Sequence, residues 1–122
     1  MSEIFDVKKE IMSFQFSEKI KSELIIAAKL LQTINGLKAD ELTGAKKLMS
    51  TFLDALLVEI TIAQNVVKLS NFEEAKMKVM QVKERIYLNE YLNATKCLSE
   101  AISLITTSAQ RAIKILIEKN LF

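Results

Sequence analysis

Few side chains in this sequence are suited to catalysis. The 122 residues include no histidine and a single cysteine, Cys97. Nucleophilic catalysis requires a base beside the nucleophile, and without histidine only carboxylates or lysines could serve. The two glycines, Gly36 and Gly44, are too few and too far apart for a phosphate-binding loop. Most zinc sites and the Glu-x-x-His pairs of di-iron bundles also require histidine. We therefore expect no enzyme activity, no metal and no cofactor.

Two carboxylates interrupt the apolar arcs of the helical pattern. On a helical wheel, Glu59 falls among apolar residues that include Phe52, and Glu23 falls beside Leu30. A carboxylate in such an arc is usually at the edge of the arc and paired with a basic residue. Arg111 borders the apolar arc of the last helix and is the candidate partner for either carboxylate. We predict that Glu59 is partly buried and paired with a basic or hydroxyl group; the alternative is a pocket carboxylate that binds a ligand or metal.

The composition restricts the elements that position these residues to helices. The chain has no proline, half of its residues are apolar and 26% are charged, which excludes turn-rich β folds and intrinsic disorder. Apolar residues recur at helical spacing almost throughout. A C-cap at Asn35-Gly36, an N-cap at Asp40, a capping box from Ser70 to Glu73 and a left-handed turn at Asn89 divide the pattern. The later helices are thereby predicted at 41–68, 72–87 and 90–119.

The first 34 residues carry two apolar stripes that face opposite ways. One stripe comprises Ile20, Leu24, Ala27, Leu31 and Ile34, and the other comprises Ile4, Val7, Ile11 and Phe14. One straight helix would bury opposite faces at its two ends, so we predict a break near residues 14–17. Residues 1–16 would then form a helical arm whose stripe of Ile4, Val7, Ile11 and Phe14 docks on a second chain. The alternative is that the arm packs across its own bundle.

These elements predict an all-α fold. Short connections favour antiparallel neighbours, and the expected architecture is an antiparallel up-down four-helix bundle with a short N-terminal helical extension. No linker or low-complexity segment interrupts the chain, so residues 1–122 are expected to form a single domain.

Two helices carry more apolar surface than one contact requires. The apolar residues of the last helix cover about half of its circumference, whereas a helix packed on one side needs an arc nearer 100°. The face of the 41–68 helix is similarly broad and is centred on Leu48, Phe52, Leu56, Ile60, Ala63 and Val67. We predict a homo-oligomer, with a two-fold dimer favoured. The alternative is a central helix that contacts two neighbours within one bundle.

The charge pattern argues against a nucleic-acid or membrane partner. The net charge is +2, and fifteen of the seventeen basic residues are lysine rather than the arginine that usually reads bases and phosphates. The longest uncharged stretch, at 101–110, is far shorter than a membrane span. Five of the first ten residues are charged, in a place where a signal peptide would have an apolar run. Together with the single cysteine, this predicts a cytoplasmic protein.

One helical segment resembles the second helix of a tetratricopeptide repeat, through the residues Tyr91, Ala94, Leu98, Ala101 and Ile102. The resemblance implies a helical hairpin whose small residues allow close approach. The preceding helix departs from the family pattern, with Val82 in place of a glycine and Arg85 in place of an aromatic residue. The repeat does not recur elsewhere, so we expect similar local packing and not a repeat protein.

The function that these observations favour is a non-catalytic helical subunit for protein interaction or assembly. One alternative is a bundle that binds a small ligand through Glu59 or Glu23, which an enclosed pocket near Glu59 would favour. Another is an accessory subunit of a nucleoprotein complex, which a clustered lysine surface would favour.

Overall fold

The computed structural model describes residues 6–121 and contains four helices. They are α1 (Val7–Ile34), α2 (Ala39–Val67), α3 (Ser70–Tyr87) and α4 (Tyr91–Glu118). Helix accounts for 89% of the structure, and no strand occurs in the described part of the chain. The prediction of an all-α fold is confirmed.

The helices form an up-down bundle. Short connections join consecutive helices, and α1 packs on α2 and α4 while α3 packs on α2 and α4. Within residues 6–121 the diagonal pairs, α1 with α3 and α2 with α4, do not pack directly. This is the arrangement of an antiparallel four-helix bundle, as predicted.

Each helix buries a stripe of residues that recur alternately three and four positions apart. We call these stripes the inner seams. The inner seam of α1 comprises Ser13, Ser17, Ile20, Leu24, Ala27, Leu31 and Ile34, and that of α2 comprises Met49, Leu53, Leu56, Ile60, Ala63 and Val67. A repeat of about 3.5 residues keeps a seam on one side of a helix that packs in a left-handed bundle. The core is therefore a coiled-coil-like packing of four seams.

The predicted break near residues 14–17 is wrong, because α1 is one continuous helix. Ser13 and Ser17 occupy inner positions, and the Ser17 hydroxyl donates to the Ser108 hydroxyl of α4 at 3.1 Å. Two buried serines thus occupy the inner positions at which an apolar residue would be expected. Residues 7–16 of the predicted N-terminal extension form the first turns of α1.

The inner seam of α2 differs from the predicted face in its first half. Met49 and Leu53 are buried, whereas Leu48 is 75% exposed and Phe52 is half-buried. Between Leu48 and Ile60 the predicted face stepped by four residues each time, whereas the observed seam alternates steps of three and four, so the two differ at the start of the helix. From Leu56 onward the two descriptions coincide.

The sequence predicted the helix boundaries more accurately than it predicted the capping contacts. α1 ends before Asn35, but Asn35 is right-handed with φ −62°. α2 begins at Ala39, so Asp40 lies in its first turn rather than at the N-cap. α3 begins at Ser70 without a side-chain capping bond. The left-handed turn at Asn89 is confirmed, with φ 62°.

α2 has the length and apolar composition of a membrane-spanning helix. The central helix of a soluble bundle meets the same criterion when one side is buried, as the inner seam of α2 is. Less than a third of the apolar window is buried inside the bundle. A large part of the apolar surface of α2 is therefore not used by the fold itself.

Truncation of an inner-seam residue should be far more costly than truncation of an exposed leucine. Leu53 is fully buried in α2 and Leu92 is 84% exposed in α4. We expect Leu53→Ala to lower the free energy of unfolding by about 2–5 kcal/mol, because it leaves a cavity. Leu92→Ala should change it by less than about 0.5 kcal/mol. Urea denaturation monitored by circular dichroism provides the measurement, and equal effects would contradict the assigned core.

Candidate functional site

A second pair of seams lies along the outside of α1 and α2. Each of its members precedes an inner-seam residue by one position, which places it on the flank where the two antiparallel helices meet. We call these residues the α1/α2 face; they are Met12, Phe16, Lys19, Glu23, Ile26 and Leu30 on α1, and Leu48, Phe52, Ala55, Glu59, Ile62 and Val66 on α2. The contact of Lys19 with Glu59 joins the two halves at mid-height.

The two ends of the α1/α2 face are apolar and open to solvent. Ile26, Leu48 and Ile62 are 47%, 75% and 50% exposed, and Leu30 and Val66 are exposed as well. Phe16, like Met12 and Phe52, packs partly against the core. The exposed aliphatic side chains of the two adjacent helices form an apolar patch at each end of the face, which is typical of an interaction surface.

The centre of the face is charged. The Lys19 ammonium contacts Glu59 Oε1 at 2.7 Å, and the Glu23 and Glu59 carboxyl groups face each other across the groove. One oxygen of each carboxyl, Glu23 Oε1 and Glu59 Oε2, is buried without a hydrogen-bond partner in the described residues when both groups are ionised. Two facing carboxylates with one ammonium leave a net negative charge in a partly buried place, which is unfavourable unless a proton joins them.

The close contact of Lys19, Glu23 and Glu59 shifts the pKa of each group. Burial, and then the hydrogen bond and charge of Glu59, raise the pKa of Glu23 to about 7. The hydrogen bond with Glu23, followed by the contact with Lys19, lowers the pKa of Glu59 against the effect of burial. The hydrogen bond and charge of Glu59 raise the pKa of Lys19. Near neutral pH the cluster therefore contains an ammonium, a carboxylate and a carboxyl group that gains or loses its proton.

The matching groove between α3 and α4 has a different chemistry. Lys78 pairs with Glu100 at 3.1 Å, and Arg85 pairs with Glu90 at 3.0 Å. Asn71 lies in the same groove and donates from Nδ2 to a backbone carbonyl of α4 at 2.9 Å. These polar groups satisfy one another within the chain, so the apolar α1/α2 face is a property of one side of the bundle.

The prediction for Glu59 is confirmed, whereas the prediction for Arg111 is wrong. Glu59 is partly buried and paired with a basic group, but the group is Lys19. Arg111 is exposed on α4 and lines a small cleft with Ser13 and Ser108. α4 is diagonal to α2, so Arg111 is on the wrong helix to reach Glu59. Sequence reasoning missed Lys19, although its i,i+4 spacing from Glu23 was a usable signal.

The predicted interface stripe of the N-terminal segment is not part of this face. Val7 and Ile11 are exposed, and Phe14 is half-buried. Phe14 follows the inner position Ser13, so the stripe lies on the flank of α1 that faces α4. Ile4 lies outside the described residues. Docking of this stripe on a second chain stays a prediction.

A separate cavity lies between α2 and α3. It has a volume of about 470 Å³, and Met49 and Leu53 line it together with Lys46, Lys47 and Lys83. Lys46 donates to the Asn89 side chain and Lys83 pairs with Asp54. Neither Glu59 nor Glu23 lines this cavity. In residues 6–121, no group of three or more histidine, cysteine or acidic side chains could hold a metal ion.

Comparisons of this chain with protein-family models, with curated proteins and with solved structures gave no match.

The raised pKa of Glu23 predicts how stability depends on pH. A carboxyl group that binds its proton more tightly in the folded state stabilises the fold at low pH, and this contribution is lost as the pH rises through about 7. We expect the free energy of unfolding to fall between about pH 5 and about pH 8 by on the order of 1–3 kcal/mol. Glu23→Gln keeps the hydrogen bond to Glu59 and should remove this dependence.

Urea denaturation of both proteins across this range measures the effect. Glu100→Gln, in the polar α3/α4 groove, serves as the control and should keep the wild-type pH dependence. A Glu23→Gln variant with the same slope as the wild-type protein would show that Glu23 is not the titrating group.

Proposed function

We propose that the chain is a non-catalytic assembly subunit of the cytoplasm that forms a two-fold dimer through the α1/α2 face. The observation that supports it is the pair of exposed outer seams, which are apolar at both ends and charged only at the centre. The fold buries the inner seams and leaves the aliphatic residues of the outer seams exposed. A second copy can cover them.

The face is complementary to itself. We consider a two-fold axis that lies in the plane of the face, at right angles to both helices and at the height of the charged centre. Rotation about this axis stacks each helix antiparallel on the same helix of the second copy. On α1 this rotation brings Lys19 opposite Glu23 of the second copy, and Phe16 opposite Ile26. On α2 it brings Leu48 opposite Val66 and Phe52 opposite Ile62. The large apolar residues therefore meet apolar residues, Lys19 meets a carboxyl group, and Ala55 meets Glu59 of the second copy.

The height of the axis is the same on both helices. The centre of the α1 seam lies between Lys19 and Glu23, and the centre of the α2 seam lies between Ala55 and Glu59. The contact of Lys19 with Glu59 shows that these two centres lie side by side in the bundle. A single two-fold operation can consequently satisfy both seams at once.

The exposed apolar surface is sufficient for a dimer of moderate affinity. Five aliphatic residues of the face are exposed in each copy: Ile26, Leu30, Leu48, Ile62 and Val66. Burying what remains of each contributes about 1 kcal/mol, or about 10 kcal/mol for the dimer. The entropic cost of association is about 4–15 kcal/mol. The gain exceeds the lower end of this cost by about 6 kcal/mol, so we expect a dissociation constant of about tens of micromolar.

A charge placed in the apolar part of the face should abolish association. Ile62→Asp buries a carboxylate against Phe52 of the second copy and should leave a monomer of 13.8 kDa. Met77→Asp is the matched control, because Met77 of α3 is 54% exposed, close to the 50% of Ile62, but lies outside the face. Sedimentation equilibrium at about several hundred micromolar protein and mildly acidic pH should give a mass that approaches twice the monomer mass for the wild-type and Met77→Asp proteins.

Two results would contradict the proposal. One is a wild-type monomer under these conditions. The other is a wild-type dimer that Ile62→Asp leaves intact, which would place the interface elsewhere. The apolar length of α2 makes a lipid surface a further occupant to test. Wild-type protein that floats with phosphatidylcholine vesicles, and is monomeric without them, would replace the dimer by a membrane contact.

A further inference from the structure

The charged centre of the α1/α2 face limits how a dimer can close. Closure would bring together two Lys19 ammonium groups and four carboxyl groups, two from Glu23 and two from Glu59. If all were ionised, the centre would carry two unbalanced negative charges between apolar surfaces. Removing unbalanced charge from water is costly, and a carboxyl group in such a place gains a proton instead.

The neighbouring helices supply no other charge to this centre in the described residues. On the side of α3, Asp54 of α2 pairs with Lys83. On the other flank of α1, Lys21 pairs with Glu18 at 2.9 Å. The ion pairs of α3 and α4 lie in the opposite groove. Charge balance at the centre is therefore decided by Lys19, Glu23, Glu59 and bound protons.

We propose that dimerisation through the α1/α2 face takes up one proton per protomer, held between Glu23 and Glu59, so that association weakens as the pH rises above neutrality. This inference rests on the proposed dimer and adds its regulation. With the proton in place, each protomer contributes one ammonium, one carboxylate and one neutral carboxyl group. That centre is neutral, and the carboxyl proton reaches one of the two carboxylate oxygens that lack a donor.

The free protomer is already poised for this uptake. Burial is the largest cause that raises the pKa of Glu23 to about 7, and a second copy would remove more water from the same group. Lys19 is 64% exposed along its side chain, so its ammonium lies on the side that a second copy would cover. It can contact Glu59 of its own chain and Glu23 of the second copy.

The test is sedimentation equilibrium of the wild-type protein at about pH 6 and about pH 8.5. With two protons taken up per dimer, the dissociation constant should rise by up to about 100-fold per pH unit above neutrality. We expect a rise of at least about tenfold over the whole interval. Glu23→Gln replaces the neutral carboxyl group by an amide, so this variant should remain dimeric at both pH values.

Two further variants serve as a second test and as a control. Glu59→Gln leaves one carboxylate for Lys19 and should also remove the pH dependence, so the conclusion does not depend on one substitution. Glu100→Gln, on the opposite face, should behave like the wild-type protein.

The possible failures are distinguishable. A wild-type dimer whose dissociation constant is unchanged, or decreases, as the pH rises would overturn the proton uptake and leave the dimer standing. The same holds if Glu23→Gln and Glu59→Gln keep the full pH dependence. Monomeric wild-type and Glu23→Gln proteins at both pH values would overturn the proposed dimer and this inference together.

Discussion

The architecture depends on seams that alternate steps of three and four residues. This repeat keeps one stripe of each helix against its neighbours for the whole length of the bundle. It also fixes what lies beside the stripe: in an antiparallel pair, the residues that precede the inner positions must meet on one flank. The charged centre, the α1/α2 face and the ion-paired α3/α4 groove all follow from this geometry. Without the buried residues Ser13 and Ser17, the inner seam of α1 would end at mid-helix. The outer seam of α1, which precedes it by one position, would end there as well.

The same geometry yields two grooves of opposite character. In the α3/α4 groove, Lys78 with Glu100 and Arg85 with Glu90 place opposite charges on facing helices. In the α1/α2 groove, the charges found among residues 6–121 are those of the central cluster, and both ends are apolar. Exposed ion pairs contribute little to stability but keep a groove solvated. Aliphatic ends have no such preference for water, so the bundle presents one solvated side and one side suited to contact.

The sequence predicted the helices and their order because proline and glycine are nearly absent and the apolar pattern is strong. It also located Glu59 correctly, since a carboxylate between apolar neighbours stands out on a helical wheel. The prediction from sequence failed where the burial of a residue differed from what its type suggests. Ser13 and Ser17 are polar by type yet buried, so α1 was divided into two helices. The sequence predicted Arg111, and not Lys19, as the partner of Glu59, because a helical wheel gives the side of one helix and not which helices are neighbours. That information came only from the packing of α1 on α2.

Distances between spin labels report whether two copies meet through the α1/α2 face. Single labels would be attached in a Cys97→Ser background at Val58, on the rim of the face, or at Ser103, on the α3/α4 side. At mildly acidic pH, two stacked bundles should place the Val58 labels about 25 Å apart or less, and the Ser103 labels about 40 Å apart or more. Short distances between Ser103 labels, or no intermolecular coupling between Val58 labels, would contradict the account.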